Sequence, residues 1–416
     1  MTKDYLFVVV DDDPTVVELI TMLLQSGGHR VVGENSGADA LATIKKQKPD
    51  CVLADIMMPD KGGFELCAEI RGDAALAATR VIMVSAKTYE HDRKRAKGLG
   101  ADGFITKPVE AASFLGDVER ILADDIFVSF WGVRGTLPVP GKHTLRYGGN
   151  TSCVTMEFGR GQFFIFDGGS GIKVLSDHLM GKGPARIDAK IFISHPHWDH
   201  INALPFFVPL YLAGNEFEIL GATHGETTTR ELISAQMDGI YFPITINEFG
   251  ARVYFRDLSE ESLEIDAIRV RTMLLSHPGN CLGYRVEYGG RAICYVTDNE
   301  LFLEGDPSHN PEYVRKLIDF VSGCDCLITD STYTDEEYKS KVGWGHSAIS
   351  QVVDLADRAG VETLYLFHHD PDQTDEDIDA KLQTAEDLLE ARGSKTRCVA
   401  PAEGSRITIA TDAKVF

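Results

Sequence analysis

Hydrophobic positions in the first quarter of the chain form short uninterrupted runs, separated by stretches in which apolar residues recur every three or four positions. The runs are typical of strands buried on both faces, and the periodic stretches are typical of amphipathic helices. The runs predict strands at 6–10, 31–33, 51–54, 81–84 and 103–106. The periodic stretches predict helices that begin at Pro14 and that cover 37–46, 63–70, 87–98 and 110–122. This alternation predicts a doubly wound α/β domain with a five-stranded parallel sheet.

Polar side chains stand where these predicted strands end. Asp11 and Asp12 follow the first strand, Asp55 the third, Ser85 the fourth and Lys107 the fifth. Ligands of such sheets bind beyond the carboxyl ends of the strands, so these side chains are expected to share one pocket. Carboxylates are the ligands that suit a hard cation such as Mg²⁺.

Four segments around these positions resemble the receiver domain of bacterial response regulators, which has a flavodoxin-like fold. The segments are Val10-Asp11-Asp12-Asp13-Pro14, Asp55-Ile56-Met57-Met58-Pro59, Val84-Ser85-Ala86 and Phe104-Ile105-Thr106-Lys107-Pro108. The resemblance implies that a sensor histidine kinase is the phosphodonor. An acidic pocket that binds Mg²⁺ and accepts no phosphate is the alternative.

The same resemblance implies a role for each residue of the pocket. Asp55 is the expected site of phosphorylation, and the Mg²⁺ and phosphate site is expected to contain Asp11, Asp12, Met57, Ser85, Lys107 and Phe104. Ser85 and Lys107 are expected to contact the phosphoryl group, and Phe104 occupies the position of the family's switch aromatic. A domain of this kind acts as a switch, so it requires a second domain or a partner whose activity it controls.

A second domain is predicted to follow without a long linker. The last helix of the first domain runs into residues 123–125, and a new strand begins at Ile126. We therefore predict domains at 1–123 and 124–416.

The second domain contains the segment His195-Pro196-His197-Trp198-Asp199-His200, directly after a strand-like run at 189–194. Side chains alternate in direction along extended backbone, so His195 and His197 can face one cation while Asp199 and His200 face a second. The alternative, a turn in which Asp199 caps a helix, leaves three histidines without a role. The segment predicts a pair of adjacent metal ions.

This segment and the preceding Asp167-Gly168-Gly169 turn resemble metallo-β-lactamase-fold hydrolases, which implies an αββα sandwich. The resemblance implies further ligands at distant strand ends. It assigns His195, His197 and His277 to one cation and Asp199, His200 and His368 to the other, with Asp298 between them. Strand phase, together with the terminal motif that the resemblance implies, favours His368 over the adjacent His369 as the ligand. Zn²⁺ is the expected metal, and iron or manganese fits the same ligands.

Two adjacent cations serve hydrolysis of phosphodiesters, thioesters, lactones or amides. The segment Gly345-His346-Ser347 and the path from Asp330 to His368 resemble ribonuclease Z-like and cyclic-nucleotide-phosphodiesterase-like proteins. This resemblance implies catalytic roles for His346, Asp330 and Asp199. In the alternative interpretation, His346 merely precedes a helix capped by Ser347.

The formal net charge of −22 argues against general electrostatic binding of nucleic acid and leaves a local basic groove as the alternative, so a small phosphoester substrate is expected. Arg134 is a candidate phosphate contact, and the aromatic residues of 204–211 and 241–242 are candidates for the wall of a nucleobase pocket. A buried helix and a hydrophobic lid are the alternative for these aromatics.

The eight cysteines are scattered, and the N-terminus lacks the pattern of a signal peptide. No apolar run is long enough for a membrane span. These features predict a cytoplasmic protein with reduced thiols, and they leave pairing into a homodimer open. The leading hypothesis is a hydrolase controlled by phosphorylation of Asp55. The alternative is a non-catalytic metal-binding sensor or interaction module coupled to the switch.

Overall fold

The computed structural model describes residues 4–86, 90–183, 186–240 and 242–411, and the chain divides into two compact units. The first unit contains the chain up to Asp125, together with Phe158–Gly161 and the segment that begins at Ala410. The second contains Ile126–Glu157 and Gln162–Ile409. The predicted boundary between residues 123 and 124 lies just inside the first unit.

The first unit is a five-stranded parallel sheet in the described residues, with the strand order β2-β1-β3-β4-β5. The predicted fold of this domain is thereby confirmed. Residues 87–89, the predicted start of the fourth helix, lie outside the described residues. The strands are β1 (Leu6–Val10), β2 (Arg30–Glu34), β3 (Cys51–Asp55), β4 (Arg80–Ser85) and β5 (Gly103–Thr106). The helices are α1 (Pro14–Ser26), α2 (Gly37–Gln47), α3 (Gly63–Gly72), α4 (Glu90–Gly98) and α5 (Ala111–Ala123).

Helices cover both faces of this sheet, which explains why its strands are apolar at every position. In β1, Val8 and Val10 belong to one hydrophobic core, while Phe7 and Val9 belong to another. Because successive side chains point to opposite faces, each central strand contributes to both cores. Because the helices cover the faces, the polar side chains meet at the uncovered edge that the carboxyl ends of the strands form.

The second unit contains two mixed sheets. Among the described residues each has seven strands, in the orders β11-β10-β9-β8-β7-β6-β19 and β12-β13-β14-β15-β16-β17-β18. The strands are β6 (Ile126–Gly132), β7 (Cys153–Phe158), β8 (Phe163–Phe166), β9 (Asp188–Ile193), β10 (Glu216–Ala222), β11 (Arg252–Leu258), β12 (Ser262–Ile265), β13 (Ile268–Leu274), β14 (Leu282–Tyr288), β15 (Arg291–Val296), β16 (Cys326–Asp330), β17 (Thr363–Phe367), β18 (Arg397–Val399) and β19 (Arg406–Ile409). The helices are α6 (Gly171–Gly181), α7 (Trp198–Ile201), α8 (Thr229–Gln236), α9 (Pro311–Val321), α10 (Asp335–Tyr338), α11 (Ile349–Ala359) and α12 (Asp375–Arg392).

Aromatic rings join the two sheets face to face. Phe166 and Phe192 of the first sheet contact Tyr284 of the second, with ring centroids 5.6 and 5.3 Å apart. Helix α6 packs on the outer face of the first sheet, and α9, α11 and α12 pack on the outer face of the second. This layering is the predicted αββα sandwich.

None of the helices in the described part of the chain combines the length and the hydropathy that a membrane span requires.

Candidate metal centre and receiver site

The histidine-rich segment lies between β9 and the short helix α7. His195, Asp199 and His200 are buried, whereas the His197 side chain is exposed. The chain turns at once into α7 after the strand, so four donor side chains from one short segment remain close together. The backbone N–H of Thr136 donates to Oδ2 of Asp199 at 2.8 Å and orients this carboxylate.

Three distant donors reach the same place from strand ends of the second sheet. His277 follows β13, Asp298 follows β15 and His368 follows β17. These three strands run in one direction, because β13 and β15 are both antiparallel to β14, while β15, β16 and β17 are parallel. Their carboxyl ends therefore meet at one edge of the sheet.

The donor atoms form two groups that share Asp298. Oδ2 of Asp298 lies 3.5 Å from Nε2 of His195 and 3.7 Å from Nε2 of His277. Oδ1 of Asp298 lies 3.2 Å from Nε2 of His200 and 3.2 Å from Nε2 of His368. The two oxygens of one carboxylate thus face different groups.

Each group is completed by another residue of the histidine-rich segment. Nδ1 of His197 lies 3.2 Å from Nε2 of His277 in the first group. Oδ2 of Asp199 lies 3.0 Å from Nε2 of His368 and 3.1 Å from Nε2 of His200 in the second. Four donors at bond lengths of about 2.0–2.2 Å around a tetrahedral cation are separated by roughly 3.3–3.6 Å. Both groups therefore fit a divalent cation.

One orphaned atom supports the same fit. Nε2 of His195 is buried and makes no hydrogen bond to any residue within the described ranges. A buried polar atom without a partner costs free energy, unless a ligand satisfies it. This nitrogen points at Asp298 in the first group.

The other ring nitrogen of each buried histidine is held by a hydrogen bond. Nδ1 of His195 lies 3.1 Å from Oγ of Ser194, and Nδ1 of His277 donates to the carbonyl of Gly345 at 2.8 Å. Nδ1 of His368 lies 3.1 Å from Oγ1 of Thr332. Such bonds fix the tautomer in which Nε2 keeps its lone pair for a metal ion.

Asp167 accepts the hydrogen bond that fixes the tautomer of His200, and it also connects the two sheets. Its carboxylate accepts hydrogen bonds from Nδ1 of His200 at 2.8 Å, from the backbone and hydroxyl of Ser194 and from the Tyr295 hydroxyl. Sequence reasoning identified Asp167 only as a turn residue. The position of Asp167 at a strand end was the signal that could have indicated its contact with the metal centre. Tyr295 had no such signal, because it is one of several apolar positions in β15.

Electrostatics within the centre hold its carboxylates ionised. Burial alone would raise the pKa of Asp199 and Asp298, but the adjacent imidazoles, His200 first, hold both pKa values well below the usual range. Burial lowers the pKa of His195 well below its usual value, and the neighbouring imidazoles, led by His200, add to this effect. Burial also acts on His200, but the carboxylates of Asp199, Asp298 and Asp167 outweigh it and raise the pKa of this imidazole well above its usual value, so it would release a proton on binding a metal ion.

Three backbone positions at the centre have positive φ. The values are 62° at Asp167, 33° at Asp298 and 61° at His368. Non-glycine residues in this region cost about 1–3 kcal/mol each and occur preferentially at functional sites. At Gly135, a Cβ atom would lie 2.2 Å from Cε1 of His368, so only glycine allows this ring its position.

His346 and Asp330 form a pair beside the centre. Nδ1 of His346 donates to Oδ2 of Asp330 at 2.7 Å, and the His346 ring lies 4.9 Å from that of His368 and 5.3 Å from that of His277. Burial alone would lower the pKa of His346, but the Asp330 carboxylate outweighs burial and raises it to about 9. Ser347 does not cap the next helix, because the N-cap of α11 is Ala348 and Ser347 donates to the Asn299 carbonyl.

His369 and Arg134 lie away from the donor groups. The His369 ring is fully buried, and neither ring nitrogen has a hydrogen-bond partner among the residues that the structure describes. Arg134 is also fully buried and donates to the carbonyls of Gly148 and Gln373. The expectation that Arg134 contacts a phosphate is therefore wrong, since its guanidinium serves to join backbone segments.

The aromatics of 204–211 form two short 3₁₀ turns in place of one buried helix. Phe207 is fully buried, and Tyr211 packs on Phe249. Phe206 is half exposed and contacts Phe242, with ring centroids 5.2 Å apart. Tyr241 lies outside the described residues.

The predicted receiver pocket lies at the carboxyl edge of the first unit's sheet. Nζ of Lys107 donates to Oδ2 of Asp11 at 2.6 Å and to Oδ1 of Asp55 at 2.7 Å. The backbone N–H of Met57 donates to the other oxygen of Asp55 at 2.7 Å. Burial raises the pKa of Asp11 despite the ammonium of Lys107.

The remaining predicted pocket residues differ in exposure. Ser85 is buried at the end of β4, whereas the side chains of Asp12 and Met57 are exposed. Phe104 is half buried, and the Arg93 guanidinium lies 4.9 Å from the centroid of its ring. The structure thus brings Asp11, Asp55 and Lys107 into direct contact and leaves Asp12 at the open side.

Two family models match this chain. Residues 7–119 match the response regulator receiver domain, and residues 167–369 match the beta-lactamase superfamily domain. The chain is 37% identical over 115 residues to Protein PilH of Pseudomonas aeruginosa, an alignment that covers 28% of this chain and 95% of PilH.

Two solved structures are similar to the second unit. The metallo-beta-lactamase fold protein YhfI of Bacillus subtilis aligns with a TM-score of 0.48 at 16% identity, over 69% of this chain and all of that protein. A diphosphatase from the PhnP family aligns with a TM-score of 0.46 at 18% identity, over 68% of this chain and 97% of that protein.

Proposed function

Because this chain belongs to the response regulator family and carries a beta-lactamase superfamily domain after its receiver domain, we propose that it is a phosphorylation-controlled, metal-dependent hydrolase. We propose phosphodiesters of small nucleotides, or related esters, as its substrates. The observation that carries the proposal is the division of the Asp298 oxygens between two groups of donors.

The two groups would hold two divalent cations. His195, His197 and His277 would bind the first, Asp199, His200 and His368 would bind the second, and Asp298 would contact both. Zn²⁺ is the metal that this mixture of imidazole and carboxylate suits best, with iron or manganese as alternatives. Bound cations supply Lewis-acid polarisation of the ester and activate the attacking water.

His346 would supply the proton that the leaving oxygen requires. Its pKa of about 9 keeps the imidazole protonated at neutral pH, and its Nδ1 is committed to Asp330. Nε2 is therefore the nitrogen that would give a proton to the departing alkoxide. A general acid in this position contributes typically about 10²–10⁴-fold to the rate.

Asp330 would orient His346. It is fully buried, and its oxygens accept hydrogen bonds from the backbone N–H groups of Asn299 and Thr332, at 3.0 Å each. The adjacent His346 lowers the pKa of Asp330 against the effect of burial, so the carboxylate stays charged. An ionised and immobile partner of this kind fixes both the tautomer and the direction of the imidazole.

Asp199 would combine ligation with positioning. One of its oxygens accepts from Thr136 and faces both His200 and His368, so the early loop of the domain is tied to the second group of donors.

The receiver domain would set the activity through Asp55. Mg²⁺ would be bound by Asp11, Asp12 and Asp55, together with Met57, and Lys107 and Ser85 would contact the phosphoryl group. A sensor histidine kinase would be the phosphodonor. The contact between Lys107 and both Asp11 and Asp55 supports this assignment.

A direct test uses the full-length protein loaded with Zn²⁺ and bis(4-nitrophenyl) phosphate as substrate. We expect hydrolysis that a chelator abolishes and that Zn²⁺ restores. If the loaded protein hydrolyses no phosphodiester, thioester or lactone, the proposal is wrong and the metal domain is a binding module.

A further inference from the structure

The loop between α10 and His346 carries two side chains that the proposed chemistry does not use. Trp344 is 60% exposed, and the Lys341 ammonium lies 4.0 Å from the centroid of its indole ring. An exposed indole is uncommon, because tryptophan buries a large apolar area when packing allows it. We call residues 339–345 the rim loop.

The rim loop is attached directly to the candidate centre. The carbonyl of Gly345, the residue after Trp344, accepts the hydrogen bond from Nδ1 of His277 at 2.8 Å. His346 follows in the chain. Trp344 is therefore two residues from the proposed acid and one residue from the carbonyl that orients a proposed metal ligand.

A buried carboxylate holds this loop in place. Glu300 is 2% exposed and accepts hydrogen bonds from the backbone N–H groups of Gly343 and Gly345, at 2.7 Å each, and from the Tyr338 hydroxyl at 2.8 Å. Both glycines have positive φ, 84° and 90°. The backbone that carries Lys341 and Trp344 is therefore already held in place. A ligand that binds to these two side chains would cause little further loss of backbone conformational entropy.

The ring of Tyr333 is a neighbour of both Lys341 and the proposed acid. The Lys341 ammonium is 5.9 Å from the ring centroid of Tyr333, and the Tyr333 ring is 5.9 Å from that of His346. Lys341 forms no ion pair with any residue in the part of the chain that the structure describes. By contrast, Arg134 and Lys381 are buried and bound to carbonyl oxygens.

The Lys341 ammonium is a positive group in a chain whose formal net charge is strongly negative. A formal net charge of −22 disfavours the approach of an anionic substrate, so a positive side chain beside the reacting site would favour the binding of a polyanion. A lysine is a compact charge that suits a phosphate, and an indole is a surface on which a nucleobase stacks.

We propose that Lys341 and Trp344 form a nucleotide subsite, in which Trp344 stacks on the base and Lys341 pairs with a phosphate other than the one that reacts. This inference rests on the proposed function for the identity of the reacting group. It specifies the substrate class further, as a nucleotide that carries a second phosphate.

Fluorescence of the full-length, Zn²⁺-loaded protein tests the subsite without requiring turnover. The probe is thymidine 3′,5′-bisphosphate, and thymidine 5′-monophosphate is the comparison ligand. We expect saturable quenching of tryptophan fluorescence by the bisphosphate. Lys341→Met should weaken its binding roughly 10- to 100-fold, the range for a lost charged hydrogen bond, and should leave the monophosphate nearly unaffected.

Three further variants separate binding from folding. Lys341→Arg keeps the charge and should restore most of the affinity. Trp344→Phe should remove the part of the quenching that Trp344 contributes, while the exposed Trp198 and the buried Trp131 still fluoresce. Lys339→Met is the matched control, because Lys339 lies on the same segment but is exposed and paired with Glu336. It should bind as the wild type does.

The results distinguish this inference from the proposed function. No quenching in the wild type, equal bisphosphate affinity in Lys341→Met, or full quenching in Trp344→Phe would each overturn the subsite. Bisphosphate binding that depends on Lys341, in a protein that hydrolyses no phosphodiester, thioester or lactone, would support the subsite and reject the proposed function.

Discussion

Nδ1 of His346 lies 2.7 Å from Oδ2 of Asp330, and this carboxylate is fully buried. The pair stands beside the two groups of donors, with its imidazole in contact with the rings of His277 and His368. Asp330 holds this imidazole in one orientation and raises its pKa, and both effects suit a proton donor. The chemical role of His346 can be separated from its structural role by varying the leaving group of the substrate.

His346→Ala should lower kcat for an alkyl phosphodiester by about 10²–10⁴-fold, because the alkoxide leaves poorly without a proton. The same variant should change kcat for bis(4-nitrophenyl) phosphate much less, since 4-nitrophenolate leaves without protonation. Asp330→Asn should follow the same pattern with a smaller loss. Steady-state rates for the two substrates measure this, and equal losses for both would contradict the assignment.

Metal content should distinguish the bridging ligand from a ligand to one cation. We expect about two Zn²⁺ per chain in the wild type, the number that a dinuclear site requires. His277→Ala should lose about one, whereas Asp298→Ala should lose both, because its two oxygens face both groups. Elemental analysis of dialysed protein gives these numbers. Retention of both ions by Asp298→Ala would remove the bridging role.

Asp167→Asn should weaken binding of the cation that His200 holds. The variant keeps the shape of the side chain but removes the charge that accepts from Nδ1 of His200, and such partners contribute about 10- to 100-fold to metal affinity. Competition with a chromophoric chelator measures the affinity. An unchanged affinity would show that Asp167 is needed only to join the sheets.

Phosphorylation should change the rate of hydrolysis through Asp55 alone. A small phosphodonor such as acetyl phosphate, with Mg²⁺, should alter kcat/KM of the wild type and leave Asp55→Asn unaffected. Lys107→Ala should blunt the response, because its ammonium contacts both Asp11 and Asp55. If the wild type and Asp55→Asn respond equally, the receiver domain does not control the enzyme.

Lys381 should make the stability of the protein depend on pH. Burial lowers its pKa to about 7, and Glu337 and Asp330 offset this only in part, while the unfolded chain keeps a value of about 10.4. Between these values the unfolded state binds more protons, so the free energy of unfolding should rise with pH from about 7 to about 10, by on the order of 4 kcal/mol. Below a pH of about 7, Lys381 is protonated in both states, and the full cost of burying its charge lowers the free energy of unfolding.

Lys381→Met should remove that rise and lose the hydrogen bonds to the carbonyls of Ser331 and Thr332. Urea unfolding at several pH values measures the slope. Lys395→Met, at an exposed position, is the control and should keep the slope of the wild type. Parallel slopes in all three proteins would mean that Lys381 is charged in the folded state.

Much of this molecule could be predicted from local patterns. The apolar runs gave the strands of the first sheet to within a residue or two, because a strand buried on both faces must be apolar at every position. The fold class of both domains was confirmed. The histidine-rich segment stood out because its donors lie within six residues.

Other assignments depended on contacts between distant residues. His277, Asp298 and His368 were candidates only through resemblance, and no local pattern places their side chains within bonding distance of one cation. The error at Arg134 has the same origin, since an arginine in a loop has the same local sequence whether it meets a phosphate or is buried under carbonyl oxygens.

The sequence by itself determined the strands and the fold class of the first domain and the residues of the histidine-rich segment, because these follow from side-chain periodicity and from neighbours in the chain. The αββα fold of the second domain was expected only from the resemblance to a known family. Only the tertiary structure decided that the oxygens of Asp298 face two groups, that Asp167 joins His200 to Tyr295, and that Glu300 supports Lys341 and Trp344. Those relationships arise when parallel strand ends meet at one edge and two sheets pack face to face. They depend on distances between residues that the order of the chain does not specify.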